Sequence, residues 1–540
     1  MQTMHASYSY HKKCFQVKFL KNILSVMPDL GSYLARYIGN KEAVYDYASG
    51  KHYTFSQLHS RAKCAAEFFT EKLKLKKGDR VAFCSENAAP FLDVFFSGYK
   101  TGIIMTTYNY LLGNCEISDL IERERPSVIF YSQSRRALID ELRNSSANRE
   151  YIAISGQPDP KDRYVYSDVV EYKSAKPVAF DTPSPEDIQL LIHTGGTTGF
   201  PKSAMISYRA IYYNAISEIL SWNLCSTDSS LAVLPFFHTA GWNVLMFPIL
   251  LAGGRVIITP AFNPETVLRI IRDERPTTCI CVETIYIALL NHPDFEKTDM
   301  SCFRFMISGA APVSKPTLQA FWDKGVNIMN AYGMTEVGPN NVSPPFCAMS
   351  QEQIRDKWDA IGVPMPFNNY RIVDDNDNDV PCGQPGELLL EGYLTFSGYW
   401  EDEKSTSEIM KDGWVRTGDI VMRDEDGYFW IRGRKKNIYI TGGENIFPIE
   451  IEHILAEHPA IASSCVFGVP DERYGEAGKA LVVLKQGVLA TKDEVQFHIL
   501  ERSSKIKVPR YVRFVDAIPR NAAGKVDYRL VREKYGEACD

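Results

Sequence analysis

The sequence predicts an α/β protein: a large N-terminal part of strands and helices in layers, then a smaller α+β unit. Three observations lead there. Short β-branched runs recur, each followed by a Gly- or Pro-marked turn and an amphipathic stretch, which is the pattern of layered α/β folds with ligands at the carboxyl ends of strands. The 540 residues exceed the roughly 250–300 that one hydrophobic core supports, and correspond to about two to four compact units. Finally, an apolar share of 45% with 23% charged residues excludes wholesale disorder.

Taken in order, residues 187–193 read as a strand that runs into Thr194-Gly195-Gly196. Ser207 reads as the N-cap of a helix whose period is carried by Ile211, Ala215, Ile219 and Leu220. Residues 304–307, leading into Ser308-Gly309-Ala310-Ala311-Pro312, repeat the strand–turn–helix order, and 326–329 form a further strand ending at Ala331-Tyr332-Gly333. Turn signals at Asp412-Gly413, Asp426-Gly427 and Arg432-Gly433 precede the last hundred residues. Those hold a helix opening at Pro448 with Glu450 and Glu452 in its first turn, and strands near 464–469 and 480–485. A helix about 493–502 and a final strand at 511–515 complete them. The boundary of this unit falls near 434–437.

Sixty basic against 66 acidic residues give a net charge of −6, which offers no general attraction to nucleic acid or anionic lipid. The apolar stretch 244–252 is interrupted by Pro248 and is far shorter than the roughly 20 residues of a membrane span. The first residues lack an apolar signal-peptide core, so the expectation is a soluble, cytoplasmic protein without integral membrane association. Twelve cysteines show no zinc-like spacing; Cys279 and Cys281, in a β-rich run, read as core packing.

Four stretches carry chemistry. In Thr194-Gly195-Gly196-Thr197-Thr198-Gly199-Phe200-Pro201-Lys202, small residues let backbone N–H groups crowd around an anion, while hydroxyls and a lysine add donors. That suits a polyphosphate, with an ordinary flexible turn as the bland alternative; it is not a Walker loop, because Phe200-Pro201 separate Gly199 from Lys202. Tyr332-Gly333-Met334-Thr335-Glu336 places an aromatic face, a hydroxyl and a carboxylate able to bind Mg²⁺ at a strand end. Asp419 offers a carboxylate to both hydroxyls of a ribose, and Arg434 follows fifteen residues later. Lys525 sits in a turn-rich loop before a helix capped by Asp527 and is either a solvated charge or a mobile point charge.

These residues resemble the adenylate-forming (AMP-binding) superfamily of acyl-CoA synthetases, peptide-synthetase adenylation domains and beetle luciferases. The resemblance runs from the Lys41–Leu58 region through Lys76-Lys77-Gly78-Asp79-Arg80-Val81 to Lys505-Ile506-Lys507-Val508-Pro509-Arg510 and the Lys525 loop. It implies an N-terminal adenylation domain (1–433) of layered α/β subdomains, a hinge at 434–437 containing Lys436, and a small mobile C-terminal domain (438–540). It further implies that the loop from Thr194 to Lys202 binds ATP phosphates and that Gly309, Ala310, Ala311, Asn330, Ala331, Tyr332, Gly333 and Met334 surround the nucleotide. Thr335 would meet the α-phosphate, Glu336 would hold Mg²⁺, and Asp419 with Arg434 would take the ribose. Lys525 would serve adenylation, while Gly442, Gly443 and Glu444 would line the route of CoA. The chain departs from the family at His193, where Tyr is frequent, at Gly196, where Ser is usual, at Ser203, where Gly is usual, and at Asn437, often Asp.

The resemblance places the acyl pocket at Pro235-Phe236-Phe237-His238-Thr239-Ala240-Gly241-Trp242, with Gly309 and Gly333 as walls. His238 alone reads as a core histidine; in the family's setting it abuts the carboxylate, and Trp242 either floors a short pocket or swings aside from a long one. The expected activity is an ATP- and Mg²⁺-dependent ligation of a fatty or aryl acid to CoA through acyl-AMP. A carrier-protein thiol as acceptor, a catalytically silent nucleotide-binding homologue and a homodimer stay open.

Overall fold

The computed structural model describes residues 27–144, 149–194, 201–309, 313–346, 348–520 and 526–539. The chain divides into two compact units: one runs through Ile280 and adds Gly333–Asn340 and Gly392–Glu408, while the other takes Cys281–Tyr332, Asn341–Glu391 and the chain from Ile409.

In the first unit the strands, in chain order, are β1 (Glu42–Asp46), β2 (Lys51–Thr54), β3 (Arg80–Cys84), β4 (Ile104–Thr107), β5 (Val128–Tyr131) and β6 (Glu150–Ala153). They continue with β7 (Ile188–Thr194), β8 (Lys202–Ser207), β9 (Ser229–Ala232), β10 (Arg255–Ile258) and β11 (Thr278–Cys281). One sheet has the order β6-β5-β3-β4-β7-β8, parallel except for the final β7–β8 hairpin. Its central strands β4 and β5 are buried at every position, as strands covered on both faces must be. A second run, β11-β9-β10-β1-β2, is parallel through β1 and closes with the antiparallel β1–β2 hairpin. Thr54 ends β2 and caps the next helix, Phe55–Glu71, through a reciprocal capping box with Gln57. Cys279 and Cys281 are both buried in β11.

The expected strand before the glycine-rich stretch is β7, and the Ser207 hydroxyl accepts from the Ala210 N–H at 3.2 Å to cap the helix Tyr208–Trp222. The buried face of that helix needs correction. Ile211 and Ala215 are inside, but Leu220 is 53% exposed, while Asn214, Ser217 and Glu218 are buried. The polar face is drawn inward because Glu218 has donors to meet: Asn340 Nδ2 at 2.5 Å, Asn214 Nδ2 at 3.2 Å and the Leu245 N–H at 3.3 Å. Leu245 itself has φ +64°, a left-handed conformation that a branched side chain rarely adopts.

In the second unit β12 (Phe305–Ser308) and β13 (Ile328–Asn330) pair in parallel, β13 lying slightly C-terminal to the expected strand. Strands Gly386–Gly392, Trp414–Arg423 and Phe429–Arg434 are antiparallel, with Asp419 directly opposite Arg434. After the single 3₁₀ turn Lys435–Asn437, the chain forms a separate sheet. There Gly475–Leu484 lies between Ile461–Asp471 and Tyr439–Thr441, and Tyr511–Phe514 runs parallel to it. One core cluster joins this sheet to the helices Pro448–Ala456 and Lys492–Leu500, and another joins it to Tyr528–Tyr535, capped by Asp527 as expected. The α+β character read from the sequence is thus present, with Pro448 at the first helical position.

Candidate active site

Two groups of residues stand out, one in each unit. In the first, the β7–β8 hairpin sets Thr194 opposite Lys202, with the Thr194 hydroxyl 3.5 Å from the Lys202 carbonyl. Gly195, Gly196, Thr197, Thr198 and Gly199 lie outside the described residues. The edge of β8 is extended by residues 397–400: Ser397 N–H donates to Met205, Met205 N–H to Gly398 and Trp400 N–H to Ser203, all at 2.8–2.9 Å. Gly398, at φ +110°, permits this approach. The segment delivers Tyr399, whose ring centroid lies 5.2 Å from Lys202 Nζ and whose hydroxyl donates to Glu336 Oε1 at 2.6 Å. Nothing in the sequence marked Tyr399, because it meets Glu336 from 63 positions away. Burial and the adjoining carboxylate push its phenol far above the ordinary range, so it remains a donor.

Glu336 is 6% exposed and sits with Thr335 in a single 3₁₀ turn, Thr335–Val337, after β14 (Tyr332–Met334). Its Oε2 has no hydrogen-bond partner among the described residues, and those residues contain no cluster of three His, Cys, Asp or Glu side chains suited to a metal. One hard carboxylate oxygen beside a hydroxyl fits Mg²⁺, which takes one or two carboxylates and completes its shell with phosphate oxygens and water. Gly333 has a reason of its own: a Cβ there would lie 2.0 Å from the Pro339 carbonyl oxygen. Backbone approach thus dictates that glycine.

In the second unit, Asp419 is 4% exposed and engaged through both oxygens. Tyr332 donates its hydroxyl to Oδ2 at 2.6 Å, and Arg434 Nε pairs with Oδ1 at 2.6 Å while its Nη1 reaches the Thr417 carbonyl at 3.1 Å. A carboxylate has about four acceptor positions and can accept from several donors at once. Thr417 orients the strand by donating to the Leu388 carbonyl and accepting from the Asp419 N–H. Burial and then Asp419 raise the Tyr332 phenol well above its usual range, keeping it protonated. Asn330 is fixed by Nδ2 to the Trp358 carbonyl at 2.7 Å, and Ala331 N–H bonds the Ser308 carbonyl at 2.8 Å. Beside them, a Cβ at Gly309 would touch nothing within 4 Å among the described residues. Ala310, Ala311 and Lys525 lie outside the described residues, and Met334 is half-buried.

Further along, Lys436 is exposed, yet desolvation followed by the neighbouring Arg434 and Arg532 guanidinium groups lowers its ammonium from the ordinary value. Asn437 is buried, with its Oδ1 unpartnered among the described residues. Gly442 (φ +58°) and Gly443 (φ +88°) make a two-residue hairpin between Tyr439–Thr441 and Glu444–Ile446, where successive positive φ values demand glycine, and Glu444 is exposed. In the first unit, His238 is half-buried against Phe237 at 4.5 Å and precedes the short helix Thr239–Asn243. Trp242 is fully buried, stacked on Phe95 at 5.1 Å and packed against Phe236 at 4.9 Å, and among the described residues its Nε1 has no hydrogen-bond partner.

The chain matches the AMP-binding enzyme family over residues 33–400 and the AMP-binding enzyme C-terminal domain over 450–525. It is 32% identical over 462 residues to a feruloyl-CoA synthase of an Amycolatopsis species, covering 86% of this chain and 90% of that protein. It is also 32% identical over 454 residues to an indoleacetate–CoA ligase of Aromatoleum aromaticum, covering 84% and 88%. Among solved structures, ATP-bound MatB from Rhodopseudomonas palustris superposes with a TM-score of 0.84 at 29% identity, covering 94% of this chain and 99% of that one. The chain belongs to the AMP-binding enzyme family, in its branch of acyl-CoA synthetases, the AMP-forming acid–thiol ligases.

Proposed function

We propose that the protein activates a fatty or aryl carboxylic acid as acyl-AMP, releasing pyrophosphate, and then transfers the acyl group to the thiol of CoA. The observation that supports this most is Asp419, a buried carboxylate fixed by Tyr332 and Arg434, of a kind that accepts the hydroxyls of a ribose. Arg434 neutralises the carboxylate, so burying it does not carry the cost of an unpaired charge. Lys202 and the Thr194 hydroxyl would supply donors for phosphate oxygens, and Tyr399 holds Glu336 in place through one oxygen, so that the other would serve a cation. Mg²⁺, held by Glu336, would neutralise charge on the phosphates. An acid attacking the α-phosphate brings two anions together, so positioned cations carry most of the catalytic task. Lys525, in this reading, bridges the acid and the phosphate.

The thioester step calls for a different arrangement of residues 438–540, turning about 434–437 so that the Gly442–Gly443 hairpin and Glu444 line the path of CoA. The names of the two relatives favour an acid with an aromatic ring. No helix among the described residues is long and apolar enough to cross a membrane, and we place the enzyme in the cytoplasm. Pyrophosphate release measured over a panel of fatty, dicarboxylic and aryl acids, with and without CoA, tests the reading. It predicts turnover with one acid class that rises with CoA. Pyrophosphate without thioester would shift the acceptor to a carrier-protein thiol, and silence over the whole panel would favour a catalytically inactive homologue.

A further inference from the structure

The segment that carries Tyr399 meets Glu336 and its strand at several points, although residues 395–398 belong to no helix or strand. Leu394 is buried against Gly338, where a Cβ would lie 2.9 Å from the Leu394 Cβ. Phe396 N–H donates to the Glu336 backbone carbonyl at 2.9 Å, and the Tyr399 hydroxyl donates to its carboxylate. Backbone and side chain of Glu336 are thus both set by one irregular segment. The segment is held along 397–400 by β8 and at its head by the helix Tyr208–Trp222. There Arg209 donates through Nη1 to the Tyr393 carbonyl and through Nη2 to the Thr395 carbonyl at 3.3 Å. One turn further on, the Tyr213 ring stacks on the Tyr393 ring at 4.6 Å. The Arg209 Nε donates to the Glu186 carboxylate at 3.0 and 3.1 Å, which aims the guanidinium. Nothing in the helix itself calls for this cation. It stands in the first turn, at the positive end of the helix dipole, where an acid is favoured and none is present. Its partners lie outside the helix, and a planar fork of five donors can serve two carbonyls and a carboxylate together.

We propose that Arg209 is a positioning residue for the divalent cation: by fixing residues 393–395 to the helix, it holds the segment that sets both the backbone and the carboxylate of Glu336. The inference rests on the ligase reading for the identity of the cation and the nucleotide. Mg²⁺ demands near-octahedral geometry with short oxygen contacts, so a carboxylate displaced even slightly serves it poorly. Without the guanidinium the head of the segment loses its two donors, while the backbone bonds to β8 stay in place. Glu186, the carboxylate left behind, is 69% exposed and remains solvated, so removing Arg209 strands no buried charge.

The test is calorimetric titration of the full-length protein with ATP in Mg²⁺ and again in EDTA, for wild type, Arg209→Met and Arg209→Lys. Methionine keeps an apolar stem and supplies no donor, and lysine keeps the charge without the fork. Wild type is expected to bind ATP at least about tenfold more tightly with Mg²⁺ than without it. Arg209→Met should lose about tenfold of that advantage and Arg209→Lys about fivefold, the scale of a hydrogen bond to a charged group. Affinity for metal-free ATP should stay within about twofold of wild type in both. If Arg209→Met does not fold, Arg209→Lys decides the matter alone. An unchanged Mg²⁺ advantage in a folded variant overturns the inference and leaves the ligase reading intact. So does a loss of equal size with and without Mg²⁺, which a merely structural role would give. A wild type with no Mg²⁺ advantage takes the cation from Glu336 and overturns the inference with it. A wild type that binds no ATP in either condition overturns the ligase reading as well.

Discussion

The group around Glu336 and the group around Asp419 each hold a buried carboxylate, in different ways. Asp419 is paired with a cation, Arg434, that the strand register places directly opposite it. Glu336 receives only a neutral phenol, from Tyr399, and keeps one oxygen unpartnered among the described residues. A carboxylate already neutralised by protein is suited to accept hydroxyls from a sugar. One left under-neutralised is suited to a metal cation, and on this asymmetry we propose Asp419 for the ribose and Glu336 for Mg²⁺.

The largest effect lies with the cation assigned to the chemistry. Lys525→Ala should lower acyl-AMP formation by about 10²–10³-fold while leaving thioester formation from supplied acyl-AMP nearly intact. The two half-reactions, assayed separately, check this, and equal losses would remove Lys525 from its role. Glu336→Gln and Asp419→Ala then set the two carboxylates against each other. Glu336→Gln should cut adenylation by about 10²-fold and raise the Mg²⁺ concentration needed for half-maximal rate. Asp419→Ala should weaken ATP by about tenfold or more with the Mg²⁺ requirement unchanged. Mg²⁺ titrations that moved equally in both variants would break the distinction.

How much of this was legible in the sequence follows from how the residues are brought together. Asp419 and Arg434 lie on adjacent antiparallel strands, Trp414–Arg423 and Phe429–Arg434, so a fifteen-residue spacing was enough to suggest the pair. Ser207 and Asp527 announce their helices because capping is a local interaction. Tyr399, the fork of Arg209 and the inward turn of Glu218 were not readable, because each depends on a partner tens of positions away or more. The helical period of Ile211, Ala215, Ile219 and Leu220 misled for the same reason: hydrogen bonds from distant donors outweighed the burial of Leu220. The departures at His193 and Ser203 were visible one by one, and only the structure shows both side chains meeting the buried carboxylate of Glu124.

Smaller effects sharpen the comparison. Tyr399→Phe removes one hydrogen bond to a charged group and should lower adenylation by about tenfold, with recovery at high Mg²⁺. Full activity at low Mg²⁺ would show that the phenol does not hold Glu336. Glu218 provides a pH test in the same unit. Burial lifts its carboxyl to about 8 despite three donors, so the folded protein binds a proton that the unfolded chain releases in the ordinary carboxyl range. Its contribution to stability is therefore complete below the unfolded value and declines as pH rises towards about 8. Thermal midpoints of wild type should fall over that interval, and those of Glu218→Gln should fall less. Parallel curves would place the titration elsewhere.

The most direct test of the two-step account is a single-turnover experiment with radiolabelled acid, MgATP and no CoA, one portion quenched in acid and another chased with CoA before quenching. The account predicts stoichiometric acyl-AMP that converts to acyl-CoA within one turnover of the chase. Thioester formed without a chaseable adenylate, or an adenylate that CoA does not consume, would contradict it.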